Sequence, residues 1–133
     1  MKEHMLKAII YTDGGASPNP GPASIGALIK DHEGQVVSRI SRSIGRATNN
    51  EAEYGAVIAA LTKALELGAR RAELRSDSEL LVRQVNGQYR VKAAGIRPLY
   101  LAVKQLQAQF EGCVFKHIPR ELNEAHELAE RRG

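Results

Sequence analysis

Apolar and polar positions along the chain fall into short blocks, and the period within each block predicts an element. Leu6–Thr12 is an apolar run of strand length that stops at Asp13-Gly14-Gly15, predicting a strand followed by a turn. Ala16–Pro22 holds three prolines and a glycine and can sustain neither the helical nor the strand period. Ala23–Lys30 resumes as a strand, Asp31–Gly34 predicts a hairpin turn, and Gln35–Ile44 alternates as a strand with one wet face. The first third of the chain is therefore an antiparallel meander.

The period then changes to that of a helix. Ala47–Asn50 opens a long helix that closes at Gly68. Thr48 or Asn49 can cap it, and Glu51 and Glu53 put negative charge in the first turn, where the helix dipole favours it. Ala69–Ser76 predicts a strand, and Asp77–Val85 a helix with Asp77 at its cap. Asn86–Gly95 is irregular and basic. Arg97–Phe110 restarts the helical period, Cys113–Ile118 predicts a strand, and Glu121–Arg132 a final helix. Strands first and then alternating helix and strand predict an α/β fold, a mixed sheet with helices packed on it.

Composition narrows the class. With 133 residues, 43% hydrophobic and 26% charged, the expectation is one globular domain spanning 1–133. The single cysteine, Cys113, excludes an internal disulfide and a paired-cysteine metal clip, and its apolar neighbours predict a buried small hydrophobe. The start, Met1–Met5, is charged, and no apolar run approaches the ~20 residues of a membrane span, so a soluble, cytoplasmic monomer is expected. The net charge is +4, and the excess is local: Arg70, Arg71, Arg75, Arg83, Arg90, Lys92, Arg97 and Lys104 face only three acids in the same stretch. Such a surface suits a polyanion, and equally a solvated helical face.

Asp13 and Asp77 stand in equivalent places, each directly after a predicted strand. Alone, Asp13 reads as a turn residue and Asp77 as a helix cap. If the two strands are parallel neighbours, their ends lie about 4.8 Å apart, and both carboxylates point into the crevice where open sheets bind ligands. Like charges so close repel unless a cation sits between them. The long helix offers a third acid. On a helical wheel Glu53 lies roughly 130° from the polar arc of Thr62, Lys63 and Glu66, and Glu51 only roughly 70° away. Glu53 thus points into protein and needs a partner, either a metal or a nearby arginine, whereas Glu51 reads as a solvated first-turn acid.

Tyr11-Thr12-Asp13-Gly14-Gly15, Asn19-Pro20-Gly21-Pro22, Thr48-Asn49-Asn50-Glu51-Ala52-Glu53 and Ser76-Asp77-Ser78 together resemble type 1 ribonuclease H, in order and over nearly the whole chain. The resemblance implies a ribonuclease H-like fold: a five-stranded mixed sheet of order 3-2-1-4-5 with helices on both faces. It implies a metal-dependent endonuclease that hydrolyses the RNA strand of an RNA·DNA hybrid by a two-metal-ion mechanism, leaving 5′-phosphate and 3′-hydroxyl ends. Asp13, Glu53 and Asp77 match the metal-binding acids, with two Mg²⁺ expected and Mn²⁺ as a substitute. Asn19, Asn49 and Asn50 match positions that hold the hybrid.

The chain departs from the family pattern in several places. Alignment on Leu128-Ala129 puts His126 where a fourth acid is usual, with Asn123, Glu124 and Glu127 as neighbours that could fill that slot. A neutral imidazole can ligate a divalent ion or orient a water, though it suits Mg²⁺ less well than a carboxylate. Asn86–Arg97 is short and the chain has no tryptophan, so the basic protrusion of some members is missing, as in compact bacterial and archaeal ones. The grip would fall to Arg83, Arg90, Lys92 and Arg97. The loop histidine credited with turnover has no clear counterpart; His117 or Arg120 is the candidate, with Arg120 favoured as a phosphate contact. Glu79 stands where many members carry glutamine. The rival of another class is a hybrid- or duplex-binding module of the same fold whose cleavage is weakened by the altered fourth position. Retention of three mutually repelling acids speaks against it. A second rival, another nuclease on the same sheet, is disfavoured by the TNNxxE block.

Overall fold

The computed structural model describes residues 5–130. In chain order the elements are β1 (Lys7–Ala16), β2 (Gly21–Lys30), β3 (Val36–Ala47), α1 (Asn49–Glu66), β4 (Arg71–Ser76), α2 (Glu79–Val85), α3 (Arg97–Gln107), β5 (Gly112–His117), a 3₁₀ turn (Arg120–Leu122) and α4 (His126–Glu130). The strands form a five-stranded sheet of order β3-β2-β1-β4-β5. β1, β2 and β3 pair antiparallel, whereas β4 pairs parallel to β1 and to β5.

Strand alternation sorts the side chains between two faces. Ile10, Ile29 and Leu74 lie in register and join Val57 and Leu61 of α1 in the main core. Ala52, Ala56, Ala60 and Ala64, all buried, let α1 lie close to the sheet. Tyr11 and Leu28 face the other way and meet Ala125 and Leu128 at α4. Helices thus cover both faces, as expected. Leu61 and Leu74 are fully buried, and truncating either to alanine would cost about 2–5 kcal/mol. Cys113 is half-buried against this core, and burial pushes its thiol up to about 11. No helix among the described residues is long and apolar enough to cross a membrane.

The boundaries differ from the sequence reading in informative places. Asp13-Gly14-Gly15 is not a turn: β1 continues through it, paired with β2 as far as Ala16 opposite Ala23. Gly14 serves close packing against α1 instead of chain reversal. Asp77 does not cap α2; Ser78 does, its Oγ accepting from the Leu81 N–H at 3.2 Å. Glu51 is no free solvated acid, because its carboxylate accepts from the Thr48 N–H while the Thr48 hydroxyl accepts from the Glu51 N–H, a reciprocal capping box. α3 stops at Gln107. The predicted last helix is interrupted at Asn123, whose side-chain oxygen takes the Ala125 N–H in a local turn, so α4 starts only at His126. Arg131 and Arg132 of that predicted helix lie outside the described residues.

Candidate active site

Two glycines beside Asp13 determine what reaches it. Gly14, next in sequence, faces α1: a Cβ there would overlap the Ala52 carbonyl and come within 2.9 Å of the Glu53 nitrogen. Gly26, opposite Asp13 on β2, faces α4, and a Cβ there would overlap the backbone of Ala125 and Ala129. The absence of both side chains lets the starts of α1 and α4 close on β1 from opposite faces. α1 thereby delivers Glu53 and α4 delivers His126. The parallel pairing of Thr12 with Ser76 supplies Asp77 as the next residue after β4.

The result is a cluster of three acids. One carboxylate oxygen from each of Asp13, Glu53 and Asp77 lies within 4.8 Å of the others. Asp13 is buried, at 5% exposure, and Glu53 Oε1 is buried with no hydrogen-bond partner. Burial, with the charges of Asp13 and Asp77 added, pushes the Glu53 carboxyl up to about 9; Arg120 opposes the shift. Burial likewise raises Asp13, against the lowering effect of its contact with His126. Among the described residues no arginine or lysine forms an ion pair with Glu53, so the salt-bridge reading of that residue is not realised. Hard oxygen donors, mutual repulsion and an orphaned buried oxygen are what a divalent-cation site requires.

His126 Nδ1 lies 2.9 Å from Asp13 Oδ2, and its Nε2 lies 3.3 Å from Glu130 Oε2. Its neighbours are differently engaged: Glu124 pairs with Lys30 at 2.6 Å, and the Asn123 amide donates to Asp77 at 3.1 Å. Arg120 Nη2 stands 3.5 Å from His126 Nδ1 and helps line a cleft of about 340 Å³ that also includes Asp13, Asn49 and Glu53. His117 is not part of that lining. A larger groove of about 640 Å³ runs between β3 and α1 past Ile40, Arg42 and Ile58, away from the acids.

The asparagines organise the rim. Asn19 Oδ1 accepts from the Asn49 N–H at 3.0 Å, and Asn49 Oδ1 accepts from the Ala16 N–H at 2.7 Å. Both carbonyl oxygens are thus spent on the loop, which leaves the NH₂ groups as donors. Asn50 is exposed on the first turn of α1. Half of the basic stretch is internally committed: Arg70 to Glu111, Arg75 to Glu73, Arg83 to Glu79, and Lys104 to the Val85 carbonyl. Arg90, Lys92 and Arg97 are exposed, and Arg83 also lies 5.4 Å from the Tyr89 ring. Sequence reasoning missed the packing roles of Gly14 and Gly26. For Gly26 the available signal was a glycine inside a predicted strand, which marks close approach; Gly14 stood in a predicted turn and carried no such signal.

The sheet order, with acids at the ends of two central parallel strands, defines a ribonuclease H-like protein. The family model described as "Reverse transcriptase-like" matches residues 11–132. The chain is 41% identical over 120 residues to the "Bifunctional protein Rv2228c" of Mycobacterium tuberculosis, covering 89% of this chain and 33% of that protein. It is 39% identical over 114 residues to the "Ribonuclease HI" of Halobacterium salinarum, covering 86% of this chain and 57% of that one. The crystal structure of the RNase H1 of H. salinarum superimposes with a TM-score of 0.91 at 38% identity, covering 93% of this chain and 95% of that chain. LC11-RNase H1, solved in complex with RNA/DNA hybrid, does so with a TM-score of 0.87 at 43% identity, over 92% and 94%. The chain belongs to the type 1 ribonuclease H family. It spans a third to somewhat over half of the length of these two curated relatives.

Proposed function

We propose that this chain is a divalent-metal-dependent endonuclease that hydrolyses the RNA strand of RNA·DNA hybrids, leaving 5′-phosphate and 3′-hydroxyl ends. The observation that carries the reading is the carboxylate cluster: three acids within 4.8 Å, with one buried oxygen orphaned. Asp13 and Asp77 would hold two Mg²⁺ ions between them, with Mn²⁺ able to substitute, and Glu53 would complete the second site. Ions bound there would supply Lewis acidity toward the phosphate and a water ionised near neutral pH.

The chain's own groups do the rest. Glu53 must release its proton before binding a cation, and the burial of Asp13 and of Glu53 Oε1 limits competition from water at those oxygens. His126, 2.9 Å from Asp13, sits at the cleft face of the first site, where it adjusts the coordination of Asp13 and assists product departure. Arg120 offers a guanidinium to a phosphate in the same cleft. The NH₂ groups of Asn19 and Asn49, with Asn50 beside them, face a wide, shallow minor groove, in which the 2′-hydroxyl distinguishes RNA from DNA. The solved complex of LC11-RNase H1 with hybrid supports that substrate class.

The test is a panel of substrates carrying 5′-labelled RNA: hybrid, RNA duplex and single strand, with a labelled DNA duplex beside them, in Mg²⁺, Mn²⁺ and chelator. Cutting of RNA in the hybrid alone, abolished by chelator, is expected. Tight hybrid binding without cutting in either metal would replace this reading with the binding module.

A further inference from the structure

Asn123 was open as one of four residues that could fill the fourth metal position, and its geometry assigns it a different task. Its side chain is buried, and its residue exposure is 6%. Its Nδ2 donates to the Thr12 carbonyl at 2.9 Å and to Asp77 Oδ2 at 3.1 Å. Its Oδ1 accepts from the Ala125 N–H at 3.0 Å, and its backbone carbonyl accepts from the His126 N–H at 3.2 Å. Both amide protons are spent, and the side-chain oxygen points into the turn that starts α4.

We propose that Asn123 is a positioning residue: it clamps Asp77 Oδ2 to the β1 backbone, fixing the other carboxylate oxygen toward the cation, and sets His126 by the same turn. This rests on the metal-site reading above. The residue type follows from the surroundings. The two acceptors it bridges, a carbonyl and a carboxylate, both require donors, whereas the Ala125 N–H requires an acceptor. Only a side chain with two N–H groups and an oxygen on one short stem satisfies all three. A carboxylate at this position would oppose both Asp77 and the Thr12 carbonyl. The clamp is uncharged, so it orients Asp77 without cancelling the negative charge that attracts the ion. Groups that orient a metal ligand in this way are typically worth about 10–100-fold in metal affinity or activity.

Asn123→Ser separates the two halves of the role, because a serine hydroxyl can still accept from the Ala125 N–H but cannot reach Asp77. Asn123→Thr keeps the same turn and serves as a second variant should serine fold poorly. Mn²⁺ binding is measured by calorimetry on the metal-free protein, with thermal melting in chelator as the control for folding. The expected result is a dissociation constant raised about 10–100-fold. In hybrid cleavage, the half-saturating Mn²⁺ concentration should rise by the same factor, while the rate at saturating Mn²⁺ and the KM for hybrid stay near wild type. A purely structural role would lower the melting temperature without moving the metal dependence of the folded protein. Binding by a folded variant within about threefold of wild type would overturn the clamp; any larger weakening supports it. A wild-type protein that takes up no Mn²⁺ would instead overturn the metal-site reading on which the clamp rests.

Discussion

Replacing Glu53 by glutamine should stabilise the metal-free protein while removing its activity. Glu53 is held in an unfavourable setting, with a buried, unpartnered oxygen and two further carboxylates inside 4.8 Å. Its carboxyl is pushed from 4.5 up to about 9. The folded state therefore binds this proton more tightly than the unfolded chain does, and wild-type stability falls as pH rises between those two values. At pH 7 the native protein holds a proton that the unfolded chain has released, at a cost of at most about 3 kcal/mol by the conversion of 1.36 kcal/mol per unit. Glutamine keeps the shape and has no proton to hold. At roughly 3–4 °C per kcal/mol for a chain of this size, Glu53→Gln should melt up to about 10 °C above wild type in chelator at pH 7. The difference should shrink toward zero as pH falls to about 4.5 and flatten above about 9. Differential scanning calorimetry across that range provides the assay. A variant that melts at or below wild type at pH 7, or an offset independent of pH, would refute the reasoning.

Other perturbations test the supports around the site. Gly14→Ala should cost about 1–3 kcal/mol in urea unfolding, because the new methyl must push α1 off β1 at Ala52, and cleavage should fall with it. Thr48→Ala removes one arm of the capping box and should cost about 0.5–2 kcal/mol, read from the same unfolding curves. Mn²⁺ affinity should climb with pH between about 6 and 9, approaching tenfold per unit, since burial holds a proton on Glu53 that a cation must evict. A calorimetric dissociation constant that is flat across that range would contradict the electrostatics of the site.

Much of this arrangement was legible in the chain, because the order of hydrophobic periods names the elements and four short motifs carry the acids and asparagines. The inward direction of Glu53 came from its wheel position alone, and the buried Oε1 agrees with it. What escaped was anything decided by neighbours distant in sequence. Asp13-Gly14-Gly15 has the composition of a turn, and only pairing with β2 and the approach of α1 make it strand. Asp77 is a good capping residue by type, but Ser78 takes the cap and leaves the Asp77 carboxylate to the cluster. The basic stretch read equally as a polyanion surface or a solvated helical face, and in the folded chain Glu73, Glu79 and Glu111 each claim one of its arginines. The two roles of Asn123 depend on partners 46 and 111 residues away, which no local pattern announces.

The most direct measurement is hybrid cleavage by the wild type beside Asp13→Asn, at equal concentration in Mg²⁺ and in Mn²⁺, with circular dichroism confirming that both are folded. Asp13 joins the cluster, contacts His126 and sits between the two glycines that shape the site. Its amide variant should lose more than the roughly 100-fold that removal of a supporting group costs. RNA cut in the hybrid by the wild type alone is the predicted result. A folded Asp13→Asn that cuts at close to the wild-type rate in either metal would contradict the account.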